Sequence, residues 1–177
     1  MERSDTAVVT GAWSRRSDEL AELYERCVGP AVGLARLLTA DSHAAEDIAH
    51  EAFVRAAGRL GGLREPTAFD AYLRRTVVNL CRARGRRILI ERSYLRRFVA
   101  RESTPEAVPG ERDLLWAAVC SLPFRQRAAV VLRYYEDLSE EQTAAVLRCS
   151  PRAVNALVSR AMAALRGRLE REEADDV

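Results

Sequence analysis

Apolar residues recur every three or four positions along most of this chain, the spacing that places them on one face of an α-helix. The first apolar stripe follows Ser17 and consists of Leu20, Leu23, Tyr24, Cys27, Ala31, Leu34, Ala35 and Leu38. Residues 1–16 lack such a period and are predicted to form a mobile leader. No segment alternates with a period of two for long enough to predict a strand, so the expected fold is all-α.

Two more helices are predicted in the first half. The second helix follows a cap at Asp41 or Ser42, and its expected core positions are Ala45, Ile48, Ala49, Ala52, Phe53 and Ala56. A loop from Gly58 to Pro66 precedes a long third helix, for which Thr67 is the expected cap. The inward-facing positions of the third helix are Phe69, Tyr72, Leu73, Thr76, Val77, Leu80 and Cys81.

A polar stretch with two prolines, from Ser103 to Gly110, predicts a flexible linker between two small helical domains. The expected divisions are a leader at 1–16, a first domain at 17–98, a linker at 99–111, a second domain at 112–169 and an acidic tail at 170–177. Helices are predicted from Glu111 to Ser121 and from Pro123 to Glu136. Their expected core is Trp116, Val119, Phe124, Val130, Val131, Leu132 and Tyr135.

The segment from Leu138 to Arg166 predicts two helices joined by a tight turn. Ser139 and Gln142 fit a capping box, and the helix should end near Cys149. Ser150 should cap the next helix, with Pro151 in its first turn. The expected buried positions are Thr143, Ala144, Val146, Leu147, Val154, Leu157, Val158, Ala161, Met162 and Leu165.

The outer face of that last helix carries polar residues suited to DNA, namely Arg152, Asn155, Ser159, Arg160 and Arg166. This arrangement indicates a helix-turn-helix that inserts its second helix into a major groove. An ordinary helical hairpin remains the alternative on this stretch alone.

The charge is distributed unevenly, although the formal net charge is only +2. Between Arg74 and Arg101 the chain has ten arginines and one acid, Glu91, a local net charge of +9. The chain contains no lysine, so all 28 basic residues are arginines. A basic segment in a balanced chain favours a polyanionic partner, and a solvated helix face is the alternative.

Other features limit the possible classes of function. The N-terminus lacks the pattern of a signal peptide and no apolar run is long enough to span a membrane, so a cytoplasmic protein is expected. The four cysteines form no CxxC pair and are expected to be buried free thiols. No nucleophile–base pairing, phosphate-binding glycine motif or metal-ligand cluster is evident, so neither an enzyme nor a cofactor is predicted.

Three motifs in order, at residues 44–56, 68–82 and 121–139, resemble those of the extracytoplasmic-function (ECF) group of bacterial RNA polymerase sigma factors, within the sigma-70 family. The Y-L-R-R-x-V-V-N form at 72–79 is most similar to the actinobacterial SigE-like subgroup. The resemblance extends from about Ser17 to Leu169. It implies a sigma-two domain, a linker and a sigma-four domain, with promoter-specific initiation of transcription on core RNA polymerase as the function.

The resemblance also implies three sets of site residues and a possible anti-sigma partner. The set that docks on the beta-prime clamp helices is Glu46, Asp47, His50, Glu51 and Phe53, and the beta flap is a further polymerase contact. The set for recognising and melting the minus-ten element is Gly61, Gly62, Leu63, Arg64, Arg74, Arg75, Asn79, Arg82, Arg86 and Arg87. The set for the minus-thirty-five element is Ser150, Arg152, Asn155, Ser159 and Arg160.

The chain departs from the family pattern at four positions. His50 replaces the usual Gln, Gly85 replaces a common Trp, and Asn155 and Leu157 replace residues that are often basic. The last two departures predict a weaker or differently specific grip on the minus-thirty-five element. A free-standing helix-turn-helix regulator that does not bind polymerase is the alternative function.

Overall fold

The computed structural model describes residues 4–59, 66–95 and 111–175, and throughout these ranges the regular elements are helices. Those of the first half are α1 (Ser4–Thr39), α2 (Ser42–Ala57) and α3 (Pro66–Leu95). Those of the second half are α4 (Glu111–Ser121), α5 (Phe124–Val130), α6 (Glu140–Leu147) and α7 (Pro151–Asp175), and α5 continues as a π-helical turn over Val131–Tyr135. The predicted all-α fold is confirmed.

The first half is a bundle in which α1, α2 and α3 pack against one another around apolar residues. The core faces predicted for α2 and α3 are confirmed, since Ile48, Ala52, Leu73 and Val77 are all buried. Phe53 of α2 packs against α3, because its ring meets Phe69 edge-to-face with 5.9 Å between the centroids. Such aromatic contacts add to the stabilisation from burial.

Several helix bounds differ from the prediction. Helix α1 begins at Ser4 rather than near Ser17, because a helix that is already nucleated gains one hydrogen bond for each residue added, without an apolar stripe. Helix α3 begins at Pro66, so Thr67 lies in its first turn. Proline has no N–H and suits this place, because the backbone N–H groups of the first turn have no partner within the helix. At the other end, α7 continues through the predicted acidic tail to Asp175.

The caps of the helix-turn-helix are confirmed. The Ser139 hydroxyl accepts a bond from the Gln142 N–H at 3.2 Å, and the Gln142 side chain accepts one from the Ser139 N–H at 2.8 Å. Ser150 Oγ likewise accepts from the Ala153 N–H at 3.2 Å. Helix α6 ends two residues before Cys149, because Arg148 adopts the left-handed conformation, with φ 51°, that closes a helix.

Three residues expected on buried faces are exposed instead, and the first is Tyr24 of the α1 stripe, which is 37% exposed. Tyr135 is 56% exposed because it lies in the π-helical turn, whose wider period rotates its side chain away from the face that buries Leu132. Met162 is 41% exposed, while its neighbour Ala161 is fully buried. Val154, Ala161 and Leu165 of α7 are buried as predicted, whereas Leu157 and Val158 are half-buried.

The two halves pack against each other through one continuous group of buried residues. In it Ala128, Leu132 and Val146 of the second half join the core of the bundle. Arg127 reinforces this packing by donating to the carbonyl of Leu38 at 3.0 Å, and also to the carbonyls of Cys120 and Leu122. Burial lowers the pKa of Arg127, but its charge remains favourable beside the negative carbonyl ends of α1 and α4.

Candidate functional site

An open groove of about 770 Å³ lies between α1 and the outer face of α2. Four of the five predicted docking residues, Glu46, Asp47, His50 and Glu51, line one side of it and are exposed. The α1 side is apolar and is formed by Tyr24, Val28 and Val32, and Val54 of α2 continues this apolar wall. Arg55 of α2 also lines the groove and pairs with Glu51. The groove thus combines an acidic rim with an apolar wall, a surface suited to a basic, partly apolar partner helix.

The fifth predicted docking residue, Phe53, does not lie on this surface. Phe53 is only 7% exposed, and its ring packs edge-to-face on Tyr24 with 5.0 Å between the centroids. It faces the core because the apolar stripe of α2 passes through Ala49, Ala52 and Ala56 on the same side. Its assignment as a direct contact is therefore corrected to a residue that supports the groove from behind.

Helix α3 displays the basic surface that the sequence predicts. Arg75, Asn79, Arg82, Arg86 and Arg87 are all exposed along it. Arg87 donates to Glu91 one turn later, with 2.9 Å between Nε and the carboxylate oxygen. The charges along α3 are thus available to a polyanion, and Arg87 already has an acidic partner.

Arg74 is placed differently from the other predicted minus-ten residues. Its Nε lies 2.6 Å from the carboxylate of Glu136, in the second half of the chain, and the two side chains are only 25% and 11% exposed. The expectation that Arg74 lies on an open DNA surface is therefore wrong for this arrangement of the halves. Glu136 directly follows the π-helical turn of the second half. The position of the second half therefore determines where this carboxylate lies and, through the ion pair, where Arg74 points.

The predicted loop residues Gly61, Gly62, Leu63 and Arg64 lie outside the described residues. On either side of them, α2 ends at Ala57, where the Gly58 N–H donates to the carbonyl of Val54 at 3.1 Å, and α3 begins at Pro66. At the opposite end of α2, a polar contact ties this helix to α3. The side chain of Asp41 caps α2 by accepting from the Ala44 N–H at 3.0 Å, and Arg84 of α3 donates to the same carboxylate at 3.0 Å. The bond from Ala44, with Arg84 adding to it, holds the pKa of Asp41 below its usual range.

The third set of predicted residues lies together on α7 and its cap. Ser150, Arg152, Asn155, Ser159 and Arg160 are all exposed, opposite the buried Val154, Ala161 and Leu165. Arg152, Asn155 and Ser159 are spaced at i, i+3 and i+7, so they share one face. Asn155 is also tied to the preceding helix, because its amide nitrogen donates to Glu140 at 2.8 Å.

Comparison with known proteins identifies the two halves separately. Residues 23–88 match the family described as sigma-70 region 2, and residues 112–165 match the family described as sigma-70, region 4. The chain is 35% identical over 148 residues to the RNA polymerase sigma-E factor of Streptomyces avermitilis, a match that covers 80% of this chain and 79% of that protein. It is 30% identical to the ECF RNA polymerase sigma factor SigE of Mycolicibacterium smegmatis, over 99% of this chain and 73% of that protein.

The chain belongs to the ECF sigma factors.

The fold of this sigma factor is also found in a solved structure. The structure of the sigma factor RpoE in complex with the anti-sigma factor NepR, from Bartonella quintana, matches with a TM-score of 0.69 at 20% sequence identity. The match covers 86% of this chain and 97% of that one. In the described part of the sigma factor, no helix is both long and apolar enough to cross a membrane.

Sequence reasoning missed three features of the sigma factor's surfaces. The apolar wall of the groove between α1 and α2 was not predicted. Tyr24 was expected in the apolar stripe of α1, and Val28 and Val32, which follow it at every fourth position, were not assigned to a surface. The partners of Arg74 and Asn155 were also missed. Glu136 and Glu140 carry no local signal of these contacts, which depend on how separate helices pack.

Proposed function

We propose that this sigma factor docks on core RNA polymerase through the groove between α1 and α2 and reads a promoter with α3 and α7. Its role is that of a non-catalytic initiation subunit that acts in the cytoplasm on the polymerase. The beta-prime clamp helices are the proposed partner of the groove, and the beta flap is the proposed partner of the second half.

One observation carries the docking proposal. Glu46, Asp47, His50 and Glu51 form an exposed rim beside the apolar wall that contains Val28 and Val54. Val54 is 56% exposed and Tyr24 37% exposed, so with Val28 and Val32 they form a contiguous apolar patch rimmed by polar residues, which is typical of an interaction site. A regulator that only binds DNA needs no second surface of this kind, so the groove favours the polymerase-binding function.

The proposed minus-ten contacts lie on α3, with the loop at Gly61, Gly62, Leu63 and Arg64 as the proposed pocket for an extruded base. Melting requires a surface that binds single strands better than duplex, which offsets the cost of unstacking, a few kcal/mol per base. The exposed arginines Arg75, Arg82 and Arg86 can follow a phosphate backbone, and Asn79 between them can donate to an unpaired base.

The proposed minus-thirty-five contacts lie on the outer face of α7. Arg152 and Arg160 suit the paired acceptors of guanine, and Asn155 and Ser159 suit other base edges. Ser150, at the cap of α7, is placed to meet a phosphate as the helix enters the groove. The proposed anti-sigma partner would act by holding the two halves together, which keeps Arg74 on Glu136.

Transcription with purified core polymerase tests this function most directly. We expect the sigma factor to produce discrete starts on genomic DNA whose promoters share two spaced elements. Asp47→Arg should weaken core binding by on the order of tenfold, because it reverses a charge on the exposed rim. Glu170→Arg makes the same charge change on an exposed part of α7 outside the groove and serves as the control.

The two variants separate docking from a general effect of charge. Equal core affinity for the wild-type protein and Asp47→Arg in a pull-down assay would overturn the docking assignment. Sequence-specific binding to duplex DNA without any binding to core polymerase would instead overturn the proposed function.

A further inference from the structure

Asn155, on the outer face of α7, is held by a residue of the other helix of the helix-turn-helix. Its Nδ2 donates to Oε2 of Glu140 at 2.8 Å, and Glu140 is the first residue of α6. The two residues are separated by 15 positions and belong to the two packed helices. Asn155 is therefore not a freely rotating side chain on the DNA-facing surface.

The identity of the partner fixes which way the amide faces. An ionised carboxylate only accepts hydrogen bonds, so the amide group must turn its nitrogen, and not its oxygen, toward Glu140. The two ends of a side-chain amide diverge from the same carbon, so Oδ1 points away from Glu140. A neutral partner able to both donate and accept would leave both orientations open.

The face on which Asn155 lies connects this orientation to DNA. Arg152 and Ser159 precede and follow it on the same exposed strip of α7, opposite the fully buried Val154. A helix that places this strip in a major groove presents the amide oxygen of Asn155 to the base edges. That oxygen accepts hydrogen bonds from an exocyclic amine, which adenine carries at N6 and cytosine at N4.

We propose that Glu140 is a positioning residue that orients Asn155 so that the pair selects adenine or cytosine at one position of the upstream promoter element. This inference rests on the proposed function and specifies the sequence preference of that same surface. The second hydrogen of Nδ2 stays available, so adenine can also be bonded at N7.

The negative charge of Glu140 and the orientation of the Asn155 amide favour the same bases. Guanine presents two acceptors in the major groove, and thymine presents one together with a methyl group. A carboxylate within hydrogen-bond distance of the reading amide disfavours those acceptors by electrostatic repulsion, whereas an amine is attracted to it. Both effects therefore discriminate amine-bearing from carbonyl-bearing bases on the strand that Asn155 reads.

Selection from a duplex library with a randomised upstream element, bound by the full-length protein in complex with core polymerase, tests the proposal. The wild-type protein should prefer adenine or cytosine over guanine or thymine at one position on one strand. Glu140→Gln should reduce that preference by about fivefold, the effect of one net hydrogen bond, because a glutamine amide allows Asn155 to flip. The affinity for the best wild-type site should change by a smaller factor than the base preference does.

Glu141→Gln is the matched control, because it removes the same charge from the next residue. Glu141 lies 2.8 Å from Ser139 Oγ, with which it shares a hydrogen bond, and should leave the base preference unchanged. Asn155→Ala should abolish the preference, and adding Glu140→Gln to it should have no further effect on the preference.

The outcomes separate this inference from the proposed function. An unchanged base preference in Glu140→Gln, or an equal loss of affinity for every sequence, would overturn the positioning role and leave the promoter-reading function intact. A wild-type preference for guanine or thymine at the position that Asn155→Ala affects would also overturn it. Absence of any selected upstream element with the wild-type complex would overturn the proposed function itself.

Discussion

The two arginine-bearing surfaces of this sigma factor differ in what their charges contact before DNA arrives. On α3, Arg74, Arg84 and Arg87 each lie within 3.0 Å of an acid of the same chain. On α7, by contrast, Arg152 and Arg160 are exposed and take part in none of the ion pairs found within the described ranges. Part of the charge of α3, on Arg74, Arg84 and Arg87, is thus balanced within the chain, whereas Arg75, Arg82 and Arg86 are exposed and, like the α7 arginines, form no ion pair within the described ranges.

The ion pairs of α3 are not equivalent. The pairs of Arg84 and Arg87 are exposed to solvent and contribute little, as surface ion pairs generally do. The pair of Arg74 and Glu136 is shielded and joins the two halves, and a cavity of about 270 Å³ lies next to it. We therefore expect Arg74 to become available to a polyanion when the halves move apart.

The largest expected effect concerns Arg160, which forms no ion pair with any residue that the structure describes. Arg160→Ala should reduce binding to a duplex containing the upstream element by about 1–3 kcal/mol if Arg160 makes a bidentate base contact. Duplex binding with the native and the scrambled element measures this directly, at one fixed salt concentration. An equal loss on both duplexes would show that Arg160 contacts phosphate only.

Sequence reasoning predicted the α7 surface well because its determinants are local. The capping box of Ser139 and Gln142, the cap at Ser150 and the spacing of Arg152, Asn155 and Ser159 all lie within a few residues of each other. The buried stripe of α2 was equally clear from the periodicity. The same stripe shows why Phe53 is a core residue, since one side chain cannot face both the core and a partner.

The sequence could not predict features that depend on how distant helices pack. Arg74 and Glu136 are separated by 62 positions, and each lies in a segment that is also compatible with full exposure. The exposure of Tyr135 depends on the π-helical turn, for which apolar periodicity at 3.6 residues per turn gives no signal. The orientation of the Asn155 amide likewise depends on a carboxylate of the preceding helix.

A smaller effect should follow from releasing Arg74. Glu136→Ala removes its partner, so we expect tighter binding to a single-stranded oligonucleotide at low salt. The slope of log affinity against log salt should steepen by about 0.7, the value for one more neutralised phosphate on a single strand. Titrations at several salt concentrations measure both quantities.

Glu91→Ala is the control for this release, because it removes the same charge from the exposed pair with Arg87 on α3. The salt slope should change much less in this variant, since Arg87 is already accessible. If both variants steepen the slope equally, only the net charge matters, and the distinction between the shielded and the exposed pair fails.

The smallest effect is expected where the packing of the halves is altered without changing any charge. A Cβ added at Gly33 of α1 would lie 2.6 Å from Oη of Tyr135, the residue before Glu136, so the Tyr135 side chain must move away from α1 and its contact between the halves is lost. Gly33→Ala should therefore move single-stranded DNA binding part of the way toward that of Glu136→Ala. Replacing a helical glycine also stabilises α1 by roughly 0.5–1 kcal/mol, which offsets the lost packing in the free energy of unfolding.

Gly167→Ala separates those two contributions. A Cβ at Gly167 of α7 meets only Arg171 at 4.0 Å, so this variant should gain the helix stabilisation without any change in single-stranded DNA binding. Tyr135→Phe removes the clashing hydroxyl and should return Gly33→Ala to wild-type DNA binding when the two are combined. If Gly33→Ala alone binds DNA as the wild-type protein does, the contact between the halves does not limit access to Arg74, and the two arginine surfaces differ only in their local ion pairs.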